Sequence, residues 1–312
     1  MRERPLDVLD ETVLTAVRAG WLIRADAVQH LPLGFGAHHW AVSTAGVRTH
    51  FATLDTVGAR HSRDTLEDAY RTAVALAGTL DLVLAPVPTR SGRCTVPLGR
   101  YALSLTPWSR ARTPDALDGP ATAALLSRLH AVDPPPGTPR WRPVVPPALA
   151  EQLRTACTVP WSAGPHGETA RTALRARLED VGRWTARYHA LAVAALDRPW
   201  VVTHGEPHEA NQLVEAGRRW LVDWESVALA PAERDLRPLL DRGHPAPADP
   251  SMVELFDLEW RLDEIQQYAA WFAGPHVGSA SDAVALDDLR HELGRPEADP
   301  ASGGPAPPPP GV

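Results

Sequence analysis

The chain has 312 residues, enough to bury a sizeable core in two packed lobes, and its formal net charge of -7 argues against a nucleic-acid partner while remaining compatible with a cationic one. Two isolated cysteines, Cys94 and Cys157, exclude a disulfide framework and a zinc knuckle. The opening MRERPLDVLDET has no apolar core of the signal-peptide kind and no apolar run is long enough to cross a bilayer, so a soluble cytoplasmic protein is expected.

Residues 7–20 read as a helix, because Val8, Leu9, Val13, Leu14 and Val17 recur at helical spacing and Gly20 supplies a stop. Residues 27–42 read as strand, turn and strand, the turn passing through Gly34, Phe35 and Gly36. Neighbouring strand residues point to opposite faces, so His38 and His39 are not a metal pair. A third strand is expected over 47–54, a helix over 65–76 ending near Gly78, and two more strands over 82–88 and 100–108. Glu67 and Asp68 on that helix read as surface charges.

Asp118-Gly119-Pro120 opens a helix to Ala131 with Leu125, Leu126 and Leu129 on one face, and the proline run after Asp133 ends it. His130 on this helix reads as a packing histidine. Helices are expected over 147–157 and 167–197, the second with a stripe of Leu174, Leu178, Val181, Trp184, Tyr188, Leu191 and Ala195. A helix over 251–273 turns Leu255, Leu258, Leu262 and Ile265 inward and carries Glu254, Asp257, Glu259, Asp263 and Glu264 on its other faces. A short helix follows over 282–293. The tail 295–312, rich in Pro, Gly, Ala and Ser, cannot bury apolar surface and is expected to be disordered.

The most informative stretch is Trp200–Leu236. An apolar run, Trp200-Val201-Val202, reads as a buried strand that breaks into a polar loop with His204, Gly205, Glu206, Pro207, His208, Glu209 and Asn211. A hairpin through Gly217 then delivers Asp223. One carboxylate and one amide on a loop, with a second carboxylate at a strand end, suit phosphoryl transfer from a nucleotide. That reaction depends on positioning the attacking hydroxyl and neutralising phosphate charge. Asn211 and Asp223 are suitable oxygen ligands for magnesium, and Glu206 is then free to accept a hydroxyl proton.

The segment resembles the aminoglycoside phosphotransferase and choline kinase family, whose loop has the form His-Gly-Asp, four residues, Asn, followed by a strand ending in Asp-Trp or Asp-Phe. His204, Gly205, Asn211, Asp223 and Trp224 match at that spacing, and Ala230-Pro231-Ala232-Glu233-Arg234-Asp235-Leu236 looks like the spectinomycin-phosphotransferase-like branch. The resemblance implies an α+β, protein-kinase-like fold, with a small antiparallel-sheet lobe over 1–106 and a mainly helical lobe over 107–294.

It further implies ATP or GTP as donor, Mg2+ as cofactor, and a basic antibiotic or similar hydroxyl compound as acceptor, in a monomer or weak homodimer. Gly34, Phe35, Gly36, His38, Thr53, Leu105, Thr106 and Trp108 would then meet the nucleotide, the last three at a hinge. Glu209, Glu225, Glu259 and Asp263 would attract the acceptor, while His204 and Asp235 would brace the loop. Two departures stand out. Glu206 replaces the family's catalytic aspartate, and Thr53 falls where the family places a phosphate-holding lysine, with only Arg48 and Arg60 nearby. They motivate a second reading, a kinase-like protein that binds nucleotide or antibiotic without transfer. A third, a zinc hydrolase using His204, Glu206 and His208, is disfavoured because Gly205 and Pro207 oppose the helix that would align the histidines.

Overall fold

A computed structural model describes residues 3–5, 7–33, 36–58 and 61–296. Gly34, Phe35, Arg60 and most of the expected tail, 297–312, lie outside the described residues. The described residues form two compact units, one within 3–141 and 200–244 and the other within 142–199 and 245–296. The boundary expected at residue 106/107 therefore falls inside the first unit.

The first unit holds a five-stranded antiparallel sheet in the order β1-β2-β3-β5-β4, from β1 (Ala27–Leu31), β2 (His38–Thr44), β3 (Val47–Thr56), β4 (Thr95–Leu98) and β5 (Tyr101–Pro107). The β2–β3 hairpin turns on Ala45 and Gly46, both at positive φ (51° and 73°), as a two-residue turn matched to strand twist demands. Strand alternation then sorts the faces. Trp40, Val42, Ala52, Leu54, Leu103 and Leu105 pack against Val13, Val17 and Trp21 of α1 (Asp10–Trp21). His39, Phe51, Thr53 and Asp55 occupy the opposite parity.

Helix α2 (Arg63–Ala77) starts with a capping box between Ser62 and Thr65. Its Leu66, Tyr70, Ala73 and Leu76 share a core with Leu125 and Leu129 of α3 (Gly119–His130) and with Val202, Leu221 and Trp224. These last three flank the functional loop. They come from β6 (Val201–Thr203), which pairs with β9 (Ala228–Ala230), and from the end of the hairpin β7 (Gln212–Glu215) and β8 (Arg218–Leu221).

The second unit is helical: α4 (Leu149–Ala156), α5 (Gly167–Arg175), α6 (Leu178–Ala195), α8 (Pro250–Ala273) and α9 (Ala280–Gly294), with α7 (Arg237–Leu240) belonging to the first. Leu255, Leu262, Ile265 and Phe272 of α8 are fully buried. Among the described residues no helix is long and apolar enough to cross a membrane.

Three expectations are corrected. The single helix over 167–197 is two, because Arg177 leaves helical geometry (φ -122°) and sends its guanidinium to Leu293 O (2.9 Å) and Asp180 (2.8 Å). The strand over 82–88 is a single parallel bridge, Val83 to Leu221, since Pro86 and Pro88 have no amide hydrogen to donate. Glu67 is not a surface charge. It is 2% exposed and accepts from Cys94 N (2.7 Å), Thr95 N (3.2 Å) and Thr95 Oγ1 (2.9 Å), tying α2 to β4. Glu67→Ala leaves these buried donors unpaired and should cost about 3 kcal/mol in urea denaturation. A loss below about 1 kcal/mol would mean that water replaces the carboxylate.

Candidate active site

The loop after β6 is shaped by what surrounds its backbone. Asp235, fully buried, accepts from His204 N (2.9 Å) and Gly205 N (2.7 Å) and meets His130 Nε2 at 2.9 Å. Burial alone would raise its pKa, but the His130 hydrogen bond and the neighbouring histidines hold it below the ordinary value. Gly205 sits at φ +99°, and a Cβ there would fall 2.7–2.8 Å from the Arg234 guanidinium, so the position takes only glycine.

His204 is also fully buried, with its ring edge-on to Trp224 at 4.6 Å. Its Nδ1 accepts from Glu206 N (3.3 Å), so Nε2 carries the hydrogen and donates to Val222 O (2.9 Å). With both nitrogens committed, His204 braces the loop and has no lone pair for zinc. Among the described residues no group of three or more His, Cys, Asp or Glu side chains is placed to hold a metal.

Asn211 closes a single 3-10 turn, Glu209–Asn211. Its Nδ2 donates to Glu206 O (3.0 Å) and lies 3.4 Å from His208 Nε2. Its backbone carbonyl accepts from Val222 N (3.0 Å), so Asn211 is held beside the residue preceding Asp223. Asp223 adopts a left-handed conformation (φ 68°, ψ 67°), which swings the chain out of the hairpin and into the turn Trp224–Ser226. Ser226 Oγ comes to 3.5 Å from Glu206 Oε1. Asn211 is thus tied to Glu206 O and to Val222 N, and Asp223 follows Val222 directly in the chain.

Three residues of this frame were missed by sequence reasoning. Gln212, fully buried, donates to Pro207 O (2.9 Å) and Thr122 Oγ1 (3.1 Å). Arg234 Nη1 donates to Ser226 O (2.8 Å) and Thr203 Oγ1 (3.0 Å). Ser226 is the third, and none of the three carried a local signal.

The sheet face above the loop differs from expectation. His38 lies on the α1 side, with Nδ1 3.0 Å from Glu3 O and its ring among those of His30, Trp40 and Tyr101. His39 takes the opposite parity, packing on Phe51 (4.9 Å) and 3.3 Å from Thr53 Oγ1. Strand parity thus turns His38, expected to meet the nucleotide, into the core and leaves His39 on the other face. The Leu105 side chain, expected at the nucleotide, is likewise buried against α1, and its carbonyl accepts from Val87 N (2.6 Å). Trp108 spends its backbone N–H on Thr49 O (2.9 Å), while its indole sits under Arg48 (5.0 Å). Thr106 is half-buried opposite Phe51, and Gly36 (φ +94°) is exposed.

The chain contains no lysine. On β3, Asp55 is 4% exposed and accepts from Tyr70 OH of α2 (2.9 Å). Burial and the nearby charge of Glu225 push the Asp55 pKa well up. Glu225, expected to meet the acceptor, instead lies 3.6 Å from His61 Nε2 and close to Asp55 and Tyr70. The other expected acceptor carboxylates are engaged within the chain: Glu209 pairs with Arg242, Glu259 accepts from Tyr188 OH, and Asp263 accepts from Gln267 (2.7 Å). Glu259 and Asp263 belong to the second unit.

The model of the phosphotransferase enzyme family matches residues 28–292. The chain belongs to that family. It is similar to protein StrN of Streptomyces griseus, with 30% identity over 249 residues, 69% of this chain and 72% of StrN. Its fold is that of a spectinomycin phosphotransferase crystallised with ADP and spectinomycin, at a TM-score of 0.67 and 13% identity over 91% of this chain and 94% of that one. An amicoumacin kinase bound to AMP-PNP, Ca2+ and its antibiotic matches at a TM-score of 0.54 and 13% identity over 92% and 93%. The kinase-like fold expected from the loop is thus found, and this phosphotransferase carries the five-stranded small-lobe sheet of an α+β protein.

Two pH effects follow. Burial drives His204 down to about 4 from 6.5, so its contribution to stability is complete above pH 6.5 and is lost as pH falls toward 4. A shift of that size corresponds to about 3 kcal/mol. Urea denaturation from pH 7 to pH 4 should therefore show a slope that flattens in His204→Gln, and equal slopes would contradict a buried neutral ring. Asp55 behaves oppositely: its raised pKa gives stability present at acid pH and lost as pH rises. Asp55→Asn, which keeps an acceptor for Tyr70, should raise the thermal midpoint at pH 8 and not near pH 4. A midpoint lowered at both pH values would contradict this.

Proposed function

We propose that this phosphotransferase moves the γ-phosphate of ATP to a hydroxyl of a small basic antibiotic, an aminoglycoside or a related compound. Phosphorylation would confer resistance to it. The reading rests on one observation: Glu206, Asn211 and Asp223 come from one loop and the adjacent turn, with His204 and Asp235 holding that loop from inside. The relatives named above with spectinomycin and amicoumacin support the acceptor class, and their nucleotides support the donor. GTP is the alternative donor.

Glu206 takes the proton of the acceptor hydroxyl as its oxygen bonds to phosphorus and the bond from phosphorus to the bridging oxygen of ADP breaks. Asn211 Oδ1 and the Asp223 carboxylate are the residues that would hold Mg2+. When bound, the ion neutralises charge on the phosphates. Thr53, Thr106, His39 and Gly36 are the donor-side contacts this reading favours. The acidic helix that carries Glu259 and Asp263 suits a positively charged acceptor. The protein is proposed to work in the cytoplasm as a monomer or weak homodimer.

A second reading, nucleotide or antibiotic binding without transfer, draws on the Asp55–Tyr70 pair on a sheet face where the resembled family keeps a cation. Mass spectrometry of a panel of aminoglycosides and aminocyclitols incubated with ATP, Mg2+ and the protein separates the two. The transfer reading expects one added phosphoryl group, with kcat reduced at least about 100-fold in Glu206→Gln and product lost in Asp223→Asn. Binding of nucleotide and acceptor without product from either ATP or GTP would establish the second reading instead.

A further inference from the structure

We propose that Ser226 and Arg234 are positioning residues for the Glu206 carboxylate, and that they set the longer glutamate side chain where a shorter aspartate would otherwise act. The proposal rests on the phosphoryl-transfer reading above. A side chain longer by one methylene carries its oxygens about 1 Å or more out of place, a displacement that costs on the order of 100-fold in rate unless something corrects it.

The correction is built from two consecutive residues. Asp235 grips the backbone N–H groups of His204 and Gly205. Arg234 covers the other side of Gly205, so close that any Cβ there would collide with the guanidinium. The same guanidinium donates to Ser226 O (2.8 Å) and Thr203 Oγ1 (3.0 Å), and Thr203 Oγ1 in turn donates to Ala228 O (2.9 Å). One cation therefore ties the Thr203 hydroxyl, three residues before Glu206, to the backbone of Ser226 and lies against Gly205. The Ser226 hydroxyl points at Glu206 Oε1 from 3.5 Å, a long contact of the kind that tightens when substrate binds. A donor at that oxygen orients the carboxylate. Neither Ser226 nor Arg234 exchanges a proton.

The test uses the full chain with ATP, Mg2+ and an acceptor found by the screen above. Ser226→Ala should lower kcat roughly tenfold with the nucleotide KM changed less than about twofold, and Ser226→Thr should recover most of the loss. In a Glu206→Asp background Ser226→Ala should cost nothing further, because the shorter carboxylate no longer reaches the hydroxyl. An equal loss in both backgrounds, or no loss in either, overturns the proposal. If the wild-type chain transfers no phosphoryl group, it is the transfer reading that fails. Crystal structures of Ser226→Ala and Arg234→Lys then decide the positioning claim. A changed Glu206 rotamer supports it, and the native rotamer in both variants overturns it.

Discussion

Everything at the site depends on one buried carboxylate. Asp235 has no solvent to share its charge with, so the backbone N–H groups of His204 and Gly205 and the His130 ring must satisfy it. Those bonds fix the chain direction at the end of β6, where the polar loop begins. His204 then carries the constraint across to Val222 O, and Asn211 returns it through its own carbonyl to Val222 N. His204 and Asn211 are thereby both tied to the residue that precedes Asp223. A loop with charged and proline residues would otherwise be free to adopt many conformations.

The apolar core reaches the same place from the other side. Trp224 packs with Leu66, Tyr70 and Ala73 of α2 while its indole N–H is donated to Leu221 O (3.0 Å). The turn that begins at Asp223 is thus seated in hydrophobic packing, and its left-handed backbone is held by burial on one flank and by Arg234 on the other. Rigid support of this kind is what catalysis by positioning requires.

The loop was legible in the sequence because its chemistry is local: His204, Gly205, Asn211 and Asp223 stand at short, fixed spacings, and His204 and Asp235 are found hydrogen-bonded to the backbone around it. Helices with a continuous apolar stripe were legible too. What escaped depends on contacts distant in sequence. Glu67 is held by Cys94 and Thr95, 27 and 28 residues away, so helical spacing alone cannot tell it from its exposed neighbour Asp68. Strand alternation separates His38 from His39 but does not say which face meets α1. The break at Arg177 has no glycine or proline to announce it, and β4 and β9 are too short to carry a periodic signal. Arg234 acts through Thr203 and Ser226, which helical or strand spacing does not link to it.

The departures from the resembled pattern lie on both sides of the loop. Glu206 is longer than the residue it replaces, and the surroundings of Ser226 and Arg234 answer that change. On the sheet, the Tyr70–Asp55 hydrogen bond joins α2 to β3. The central claim is that the braced loop presents Asn211 and Asp223 to one divalent ion and Glu206 to the acceptor. A crystal structure with Mg2+ and a non-hydrolysable ATP analogue tests it most directly. The account predicts the ion bound to Asn211 Oδ1 and the Asp223 carboxylate, with Glu206 not among its ligands. An ion held away from both residues, or ligated by Glu206, would contradict it.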